Sequence, residues 1–208
     1  MGVVRMCAEV KEKKMVMQDQ TTRRIFKILV MGDTGVGKTS LVYRSVKGKF
    51  PDPTLLKSTI GAAFSVKKIT VDSDNGPIEV TLQIWDFAGQ DQFRQLMVKL
   101  FKGAAGGLFV FDLTDPVTFD DLSSFWIPAV EGELNIDFSQ SPEVAKNFIL
   151  VGNKADMIKD RAIDYDEIKR VAKEKNFRYI VVSSKTGENV ERLFNVLAKQ
   201  LLVDYEKN

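Results

Sequence analysis

The sequence has few of the features that mark secreted, membrane-spanning or nucleic-acid-binding proteins. It contains one cysteine, Cys7, so no disulfide can form within the chain. It has neither the apolar segment of a signal peptide nor an apolar stretch long enough to span a bilayer. Its net charge is only +2 and its lysines are scattered, which gives no argument for nucleic acid as a partner. We therefore expect a cytoplasmic protein, at most peripheral on membranes.

The size and composition of the chain are those of one globular domain. It has 208 residues, 44% of them hydrophobic, and nearly equal numbers of acidic and basic residues. We expect this domain at 25–208, after an arm at 1–24 that carries the charged run 11–14. The arm is interpreted as a solvated tail; the alternative is a weak interfacial or partner-binding helix with Val3, Cys7, Val10 and Met17 on one side.

Apolar strand-like runs alternate with helical patterns beyond residue 25. Runs at 25–31, 106–111, 147–152 and 179–182 predict strands, and two of them are almost wholly apolar, which is typical of strands covered on both faces. The Asn-Gly pair at 75–76 predicts a hairpin of strands 63–71 and 78–85. Helices are expected at 38–47, 92–101, 117–133, 164–175 and 188–204, with Asp164 as an N-cap. The pattern predicts an α/β sandwich with a six-stranded, mostly parallel sheet, one antiparallel hairpin strand and about five helices.

A glycine-rich loop directly follows the first strand and precedes the first helix. Its sequence from Gly32 to Thr39 matches the pattern Gly-x4-Gly-Lys-Thr. Successive N–H groups in such a loop cradle nucleotide phosphates, while Lys38 adds a positive charge and the Thr39 hydroxyl can bind Mg²⁺. The alternative, an ordinary glycine turn, needs no Lys-Thr pair. Phosphate binding is therefore assigned to Asp33, Thr34, Gly35, Val36, Gly37, Lys38, Thr39 and Ser40.

A second motif follows the strand at 78–85. Asp86 leaves that strand beside the phosphate loop, where a Mg²⁺ shell needs an oxygen, and is the Walker B candidate. Gly89 would let its N–H approach a γ-phosphate, and Gln90 could orient the attacking water. Taken alone, the segment Asp-x-Ala-Gly-Gln could be a turn. The upstream phosphate loop favours the functional interpretation.

Guanine selection is predicted by the segment Asn153-Lys154-Ala155-Asp156, which follows the strand at 147–152. The Asp156 carboxylate can accept two hydrogens from the N1 and N2 edge of guanine, an edge that adenine does not present. Asn153 would brace the pocket, and the stem of Lys154 would lie along the purine plane. The alternative is a capping Asn or Asp in a loop. Further on, Ser183-Ser184-Lys185 could bring a backbone N–H to guanine O6.

Taken in order, these motifs resemble those of the Ras superfamily of small GTPases over about residues 25–204. The chain is most similar to Rab-like members, on segments 58–64, 82–86, 93–94, 101–104 and 109–112. The resemblance implies the three-layer sandwich of P-loop NTPases. It also implies that the switch I threonine, here Thr59, binds Mg²⁺ and the γ-phosphate only in the GTP state, and that Phe50 packs edge-on against guanine.

The resemblance further implies a molecular switch that binds GTP or GDP with Mg²⁺ and hydrolyses GTP slowly. The metal ligands would be Thr39, Thr59 and Asp86, and the catalytic residues Lys38, Gln90 and Thr59. Effector proteins would bind switch I (50–64) and switch II (87–101). An exchange factor and a GTPase-activating protein would regulate the cycle of nucleotide binding and hydrolysis. The protein would be a monomer that acts in vesicle or membrane trafficking. The alternatives are a GTP-loaded scaffold with little hydrolysis and a P-loop kinase or ATPase, which the guanine segment disfavours.

Several positions depart from the family pattern. Switch I is two residues longer than usual between Phe50 and Thr59 and contains Pro51 and Pro53, so nucleotide release and effector choice should differ from those of relatives. Phe87 replaces the usual Thr. Access for an arginine finger is in question because Thr34 stands where the tightest members have Gly.

Two further departures concern partners and membranes. Leu100 aligns with a Tyr of the effector platform, which leaves Phe64 and Trp85 either as a partial aromatic platform or as a cap on the hairpin core. Residues 201–208 contain no cysteine, so we expect no C-terminal prenylation, and Gly2 is a poor myristoylation match because Met6 stands where Ser or Thr is preferred. Membrane cycling would then need another device, such as the arm with Cys7.

Overall fold

A six-stranded sheet forms the centre of the molecule. The computed structural model describes residues 22–52, 54, 59, 61–73, 76–90 and 97–207. The strands are β1 Arg23–Met31, β2 Ala62–Ser73, β3 Gly76–Phe87, β4 Gly106–Asp112, β5 Phe148–Asn153 and β6 Arg178–Val181. Each predicted strand is present, although β1 begins at Arg23 rather than at residue 25. Residues 1–21, which include most of the expected arm and Cys7, lie outside the described residues.

The helices largely follow the sequence pattern. They are α1 Lys38–Lys47, α2 Pro116–Asp121, α3 Ile127–Leu134, α4 Pro142–Ala145, α5 Tyr165–Glu174 and α6 Val190–Lys207. Asp164 caps α5 as predicted, since its side chain accepts a hydrogen bond from the N–H of Asp166. The short α4 has no counterpart in the prediction. Of the helix expected at 92–101, residues 97 and 98 are helical, and 91–96 lie outside the described residues.

The strand order β2-β3-β1-β4-β5-β6 confirms the predicted mixed sheet. Only β2 runs antiparallel to its neighbour, β3, while the other neighbouring strands are parallel. The carboxyl ends of parallel strands meet at one edge of a sheet, where open α/β folds bind their ligands. The loops that follow β1, β3, β5 and β6 therefore open on the same side of the molecule.

Helices cover both faces of the sheet, which makes three layers. Alternate residues of β1 enter opposite cores: Ile28 and Val30 pack with α1 and α6, whereas Leu29 and Met31 pack with α2, α3 and α5. The second core is rich in aromatic rings. Phe109 of β4 lies in contact with three of them, at centroid distances of 6.2, 5.8 and 5.3 Å from Phe138, Phe148 and Phe177.

The helix predicted at 117–133 is interrupted by a π-helical turn at Leu122–Trp126. The N–H of Ile127 bonds to the carbonyl of Leu122, five residues back. Pro128, the next residue, has no N–H, and its ring would crowd the carbonyl of Ser124 in a regular α-helix, so the wider turn accommodates it. The turn also places the buried Trp126 indole against the phosphate loop, where its Nε1 donates to Asp33 Oδ1 at 3.0 Å.

Replacing Phe109 with Ala should lower the free energy of unfolding by about 3–5 kcal/mol, because it removes a fully buried ring and leaves a cavity. Urea denaturation followed by circular dichroism measures the change. Val117→Ala serves as the control, since the Val117 side chain is 63% exposed and its truncation should cost about 0.5 kcal/mol or less. Equal losses in the two variants would contradict the assignment of Phe109 to the core.

Candidate nucleotide-binding site

A cavity of about 570 Å³ opens at the carboxyl edge of the sheet. That volume is within the usual range for a small-molecule site. Its walls come from all four loops named above and from residues near Phe50 and Thr59. The predicted site residues that line it are Thr34, Gly35, Gly37, Lys38, Thr39, Ser40, Phe50, Thr59, Gly89, Gln90, Asn153, Lys154, Asp156, Ser184 and Lys185.

Three predicted nucleotide-binding residues support the cavity rather than line it. The Asp33 carbonyl accepts a hydrogen bond from Lys38 Nζ at 2.6 Å. The Val36 side chain is fully buried, and its carbonyl accepts from Asn153 Nδ2 at 2.8 Å. Ser183 is also buried, and its Oγ donates to Asp156 Oδ1 at 2.6 Å. These three residues therefore hold neighbouring groups of the site, Lys38, Asn153 and Asp156, in position.

The phosphate loop has the backbone that its glycines predict. Gly35 and Gly37 have φ values of 84° and 93°, in the region that side chains rarely adopt, and α1 begins directly after Gly37. Lys38 is 6% exposed at the start of that helix. Gly89 approaches the same loop so closely that a Cβ there would lie 2.2 Å from the Thr34 nitrogen. Contact with the phosphate loop is thus a second reason for glycine at this position.

The three predicted metal ligands converge at one end of the cavity. Thr39 Oγ1 donates to Asp86 Oδ2 at 2.6 Å and lies 2.7 Å from Thr59 Oγ1. Asp86 is 2% exposed, and its Oδ1 is buried without a hydrogen-bond partner among the described residues. Hydroxyl and carboxylate oxygens are ligands that suit Mg²⁺. Thr59 reaches this cluster despite the two additional residues in switch I.

Burial controls the ionisation of Asp86. Desolvation raises the pKa of its carboxyl above the ordinary value, against the opposing effects of the Thr39 hydrogen bond and the Lys38 charge. Lys38 alone therefore does not compensate the cost of burying this carboxylate. A divalent cation beside Asp86 would supply the missing positive charge.

Hydrogen bonds and ion pairs join the loops at the base end of the cavity. Asn153, which is 1% exposed, accepts from the N–H and Oγ of Ser184 at 3.1 and 3.0 Å. Lys154 has a left-handed backbone, with φ 65°, and pairs with the buried carboxylate of Asp112. Asp156 lies beside Lys185, whose Nζ is 3.9 Å from its Oδ2. Asn153, Lys154 and Asp156 are therefore held in fixed orientations at this end of the cavity.

Sequence reasoning missed several residues that shape the site. Tyr43, Pro51 and Met157 also line the cavity. Arg44, Asp112 and Trp126 lie behind it and bind its loops. For Asp112 a signal existed, because it ends β4 directly opposite Asn153 in the register of β5.

The aromatic pair of the hairpin lies on an outer face. Phe64 is 55% exposed and packs edge-on against Trp85, with ring centroids 5.7 Å apart. Lys27 Nζ lies 5.0 Å from the centre of the Trp85 ring and donates to the carbonyl of Leu100 at 2.6 Å. The exposure of Phe64 favours a surface platform over a cap on the hairpin core.

Comparison with known proteins gives the family. The Ras family profile matches residues 27–203. The chain belongs to the Ras family. It is 37% identical to the Ras-related protein Rab-1 of Theileria parva over 177 residues, which are 85% of this chain and 74% of that protein. Identity to the Ras-related protein Rab-13 of Rattus norvegicus is 30% over 179 residues, 86% of this chain and 81% of the relative.

The chain is thus a Rab-like small GTPase, an enzyme that hydrolyses GTP and takes guanine nucleotides as ligands. The kinase or ATPase alternative is wrong. The family's α/β fold agrees with the observed sheet order. In the described part of this GTPase, no helix has both the length and the apolar character that crossing a bilayer requires.

Replacing Asp86 with Asn should weaken Mg²⁺ binding to the GDP-loaded GTPase by about 10- to 100-fold. It should also raise the unfolding temperature in EDTA. Below its ordinary pKa the Asp86 carboxyl is protonated in both the folded and the unfolded state, so it carries no charge to bury. Above that pKa the unfolded chain ionises more readily than the folded one, because burial raises the folded-state pKa, and this difference lowers the free energy of unfolding. Asn has no charge to bury and avoids that cost.

Calorimetric Mg²⁺ titration and thermal unfolding in EDTA check the two effects of this substitution. The matched control is Asp164→Asn, since Asn is as good an N-cap as Asp and Asp164 precedes α5, outside the residues that line the cavity. Unchanged Mg²⁺ affinity in the Asp86 variant would remove Asp86 from the metal site.

Proposed function

We propose that this GTPase is a nucleotide-dependent switch in vesicle or membrane trafficking, which hydrolyses GTP slowly and recruits effectors in its GTP state. The observation that carries the proposal is that one cavity has a hydroxyl and carboxylate cluster at one end and Asn153 and Asp156 at the other. Such a cavity can bind phosphates with Mg²⁺ and select a purine at the same time. An exchange factor and a GTPase-activating protein would set the rates of the cycle.

Hydrolysis in this site would depend mainly on positioning. Lys38 and the N–H groups of the phosphate loop offset phosphate charge, and Gln90 orients water for attack on the γ-phosphate. Bound Mg²⁺, held by Thr39, Thr59 and Asp86, would offset charge on the phosphate oxygens. Without an arginine finger the intrinsic turnover should be on the order of 10⁻⁴ to 10⁻² s⁻¹.

Switching would depend on the contacts of Thr59 and Gly89 with the γ-phosphate. Loss of that phosphate releases both residues, and with them the loops that each belongs to. The exposed Phe64 and the half-buried Trp85 that it packs against lie on the strands that join these loops and would form the effector platform. Its apolar area makes it suited to an apolar partner surface.

A scaffold with little hydrolysis is the second candidate, and Phe87 is the observation that favours it. This residue lines the cavity two residues before Gly89, and its ring packs on Phe101 with centroids 5.2 Å apart. Relatives have Thr at this position, and unlike Thr the Phe87 side chain cannot hydrogen-bond to water or phosphate. Phosphate release from GTP in a single turnover separates the scaffold from the slow enzyme.

Replacing Gln90 with Leu should slow single-turnover GTP hydrolysis by about 10- to 100-fold, because the attacking water loses its orientation. GDP affinity should change less than twofold, since Leu retains the bulk of Gln. Phosphate release from GTP-loaded protein, followed over several half-lives, gives the rate. Gln83→Leu is the control, because Gln83 faces outward on β3 away from the cavity. Equal rates for wild type and the Gln90 variant would show that this side chain has no part in hydrolysis.

Replacing Asp156 with Asn should transfer preference from guanine to xanthine nucleotides. The amide cannot accept the two guanine hydrogens, so GDP affinity should fall by about 100-fold, whereas it can donate to the second carbonyl of xanthine. Competition of GDP and XDP against a fluorescent nucleotide measures both affinities. Asp160→Asn, an exposed change in the next turn, should leave them unaltered. Retained guanine selectivity would refute the role of Asp156.

A further inference from the structure

The side chain of Arg44 bridges two loops that are far apart in the sequence. Arg44 lies on α1, and its Nη1 donates to the carbonyl of Gly48 at 3.0 Å. Its other two nitrogens reach the base loop, with Nε 3.1 Å from the Ser184 carbonyl and Nη2 2.6 Å from the Lys185 carbonyl. A single guanidinium thus fixes two successive peptide groups of the base loop.

The geometry of this contact is restrictive. Guanidinium is planar, and its donors point in fixed directions, so two adjacent carbonyls can bond to it in only a narrow range of orientations. Gly187 borders the same group: a Cβ there would lie 3.1 Å from Arg44 Nε, and its φ of 91° already disfavours a side chain. The loop therefore packs closely around Arg44.

The first of these peptides presents a hydrogen-bond donor on its other side. The Ser184 carbonyl and the Lys185 N–H belong to one trans peptide, so they point in opposite directions. With the carbonyl held by Arg44, the N–H points away from it. Among the described residues this N–H has no hydrogen-bond partner, and Lys185 lines the cavity whereas Arg44 does not. A bonded carbonyl also makes the N–H of its peptide a stronger donor.

The second peptide leads to Asp156. Its carbonyl, that of Lys185, accepts from Arg44, and its N–H, that of Thr186, donates to Ser183 Oγ at 3.0 Å. The same Oγ donates to Asp156 Oδ1 at 2.6 Å. A continuous chain of hydrogen bonds therefore runs from the Arg44 guanidinium to the carboxylate that faces the base.

We propose that Arg44 is a positioning residue for guanine recognition. It holds the Ser184–Lys185 peptide so that the Lys185 N–H faces guanine O6, and it holds Asp156 in place through Thr186 and Ser183. This inference rests on the proposed base site and deepens it. It assigns part of the guanine selectivity to a residue that lies outside the cavity and touches no nucleotide.

The test compares GDP with 6-thio-GDP, which has a weakly accepting sulfur in place of O6 but keeps the N1 and N2 hydrogens. Wild type should prefer GDP. In Arg44→Gln, GDP affinity should fall about 10-fold, and the preference for GDP over 6-thio-GDP should narrow at least threefold, because the Lys185 N–H is no longer held toward O6. Arg44→Lys keeps the charge but lacks the planar guanidinium, so it should narrow the preference for GDP over 6-thio-GDP by less than Arg44→Gln does. Competition against a fluorescent GDP in Mg²⁺ measures each affinity.

Lys67→Gln is the matched control. Lys67 Nζ also donates to a carbonyl of α1, that of Ser45 at 2.6 Å, and pairs with Glu191 at 3.0 Å, but it does not contact the base loop. Its loss should leave the ratio of the two affinities unchanged. The positioning role is refuted if either Arg44 variant folds and lowers the affinities for GDP and 6-thio-GDP by the same factor, or lowers neither affinity. A wild type that binds ADP as tightly as GDP would instead refute the base site itself.

Discussion

The buried amide of Asn153 is the contact on which the geometry of the site depends. It donates to the Val36 carbonyl in the phosphate loop and accepts from Ser184 in the base loop, so one side chain joins the two loops. The loops must approach closely for this, and Gly37 permits it, since a Cβ there would lie 2.4 Å from Asn153 Nδ2. The distance between the phosphate end and the base end is therefore set by main-chain contacts to one buried side chain, which rigid packing keeps constant.

The parallel sheet brings these contacts together. Asp112 and Asn153 end neighbouring strands in register, so Lys154, the next residue, can turn back through a left-handed conformation and pair with Asp112. Val30 lies opposite Asp86 in the same way, which places the end of β3 beside the phosphate loop that follows β1. Strand register thus determines which polar side chains meet, while the loops add only short-range adjustments.

The features that could be predicted from the sequence are those that depend on a local pattern of residues. Strand runs, the phosphate loop and the Asp164 cap all have signals within a few residues, and the structure has the strands and the cap where they were expected. The π-helical turn before Pro128 was not predicted, because the helical pattern continues on both sides of the proline and does not show whether the helix ends there or widens to accommodate it. Arg44 was missed because its partners are 140 and 141 residues away, and no spacing rule connects an arginine to two distant carbonyls.

The energetics of the site follow from its buried charges. Lys38 and Asp86 are 6% and 2% exposed, and burying an ion is unfavourable unless opposite charge is supplied. Phosphate oxygens would compensate Lys38, and a cation would compensate Asp86, so nucleotide and metal each remove a cost built into the fold. A ligand at about 1,000 times its Kd adds roughly 4 kcal/mol to the free energy of unfolding, a large part of the 5–15 kcal/mol typical of a domain. Stability of the folded GTPase and occupancy of its site are therefore linked, because loss of nucleotide and metal restores the cost of burying Lys38 and Asp86.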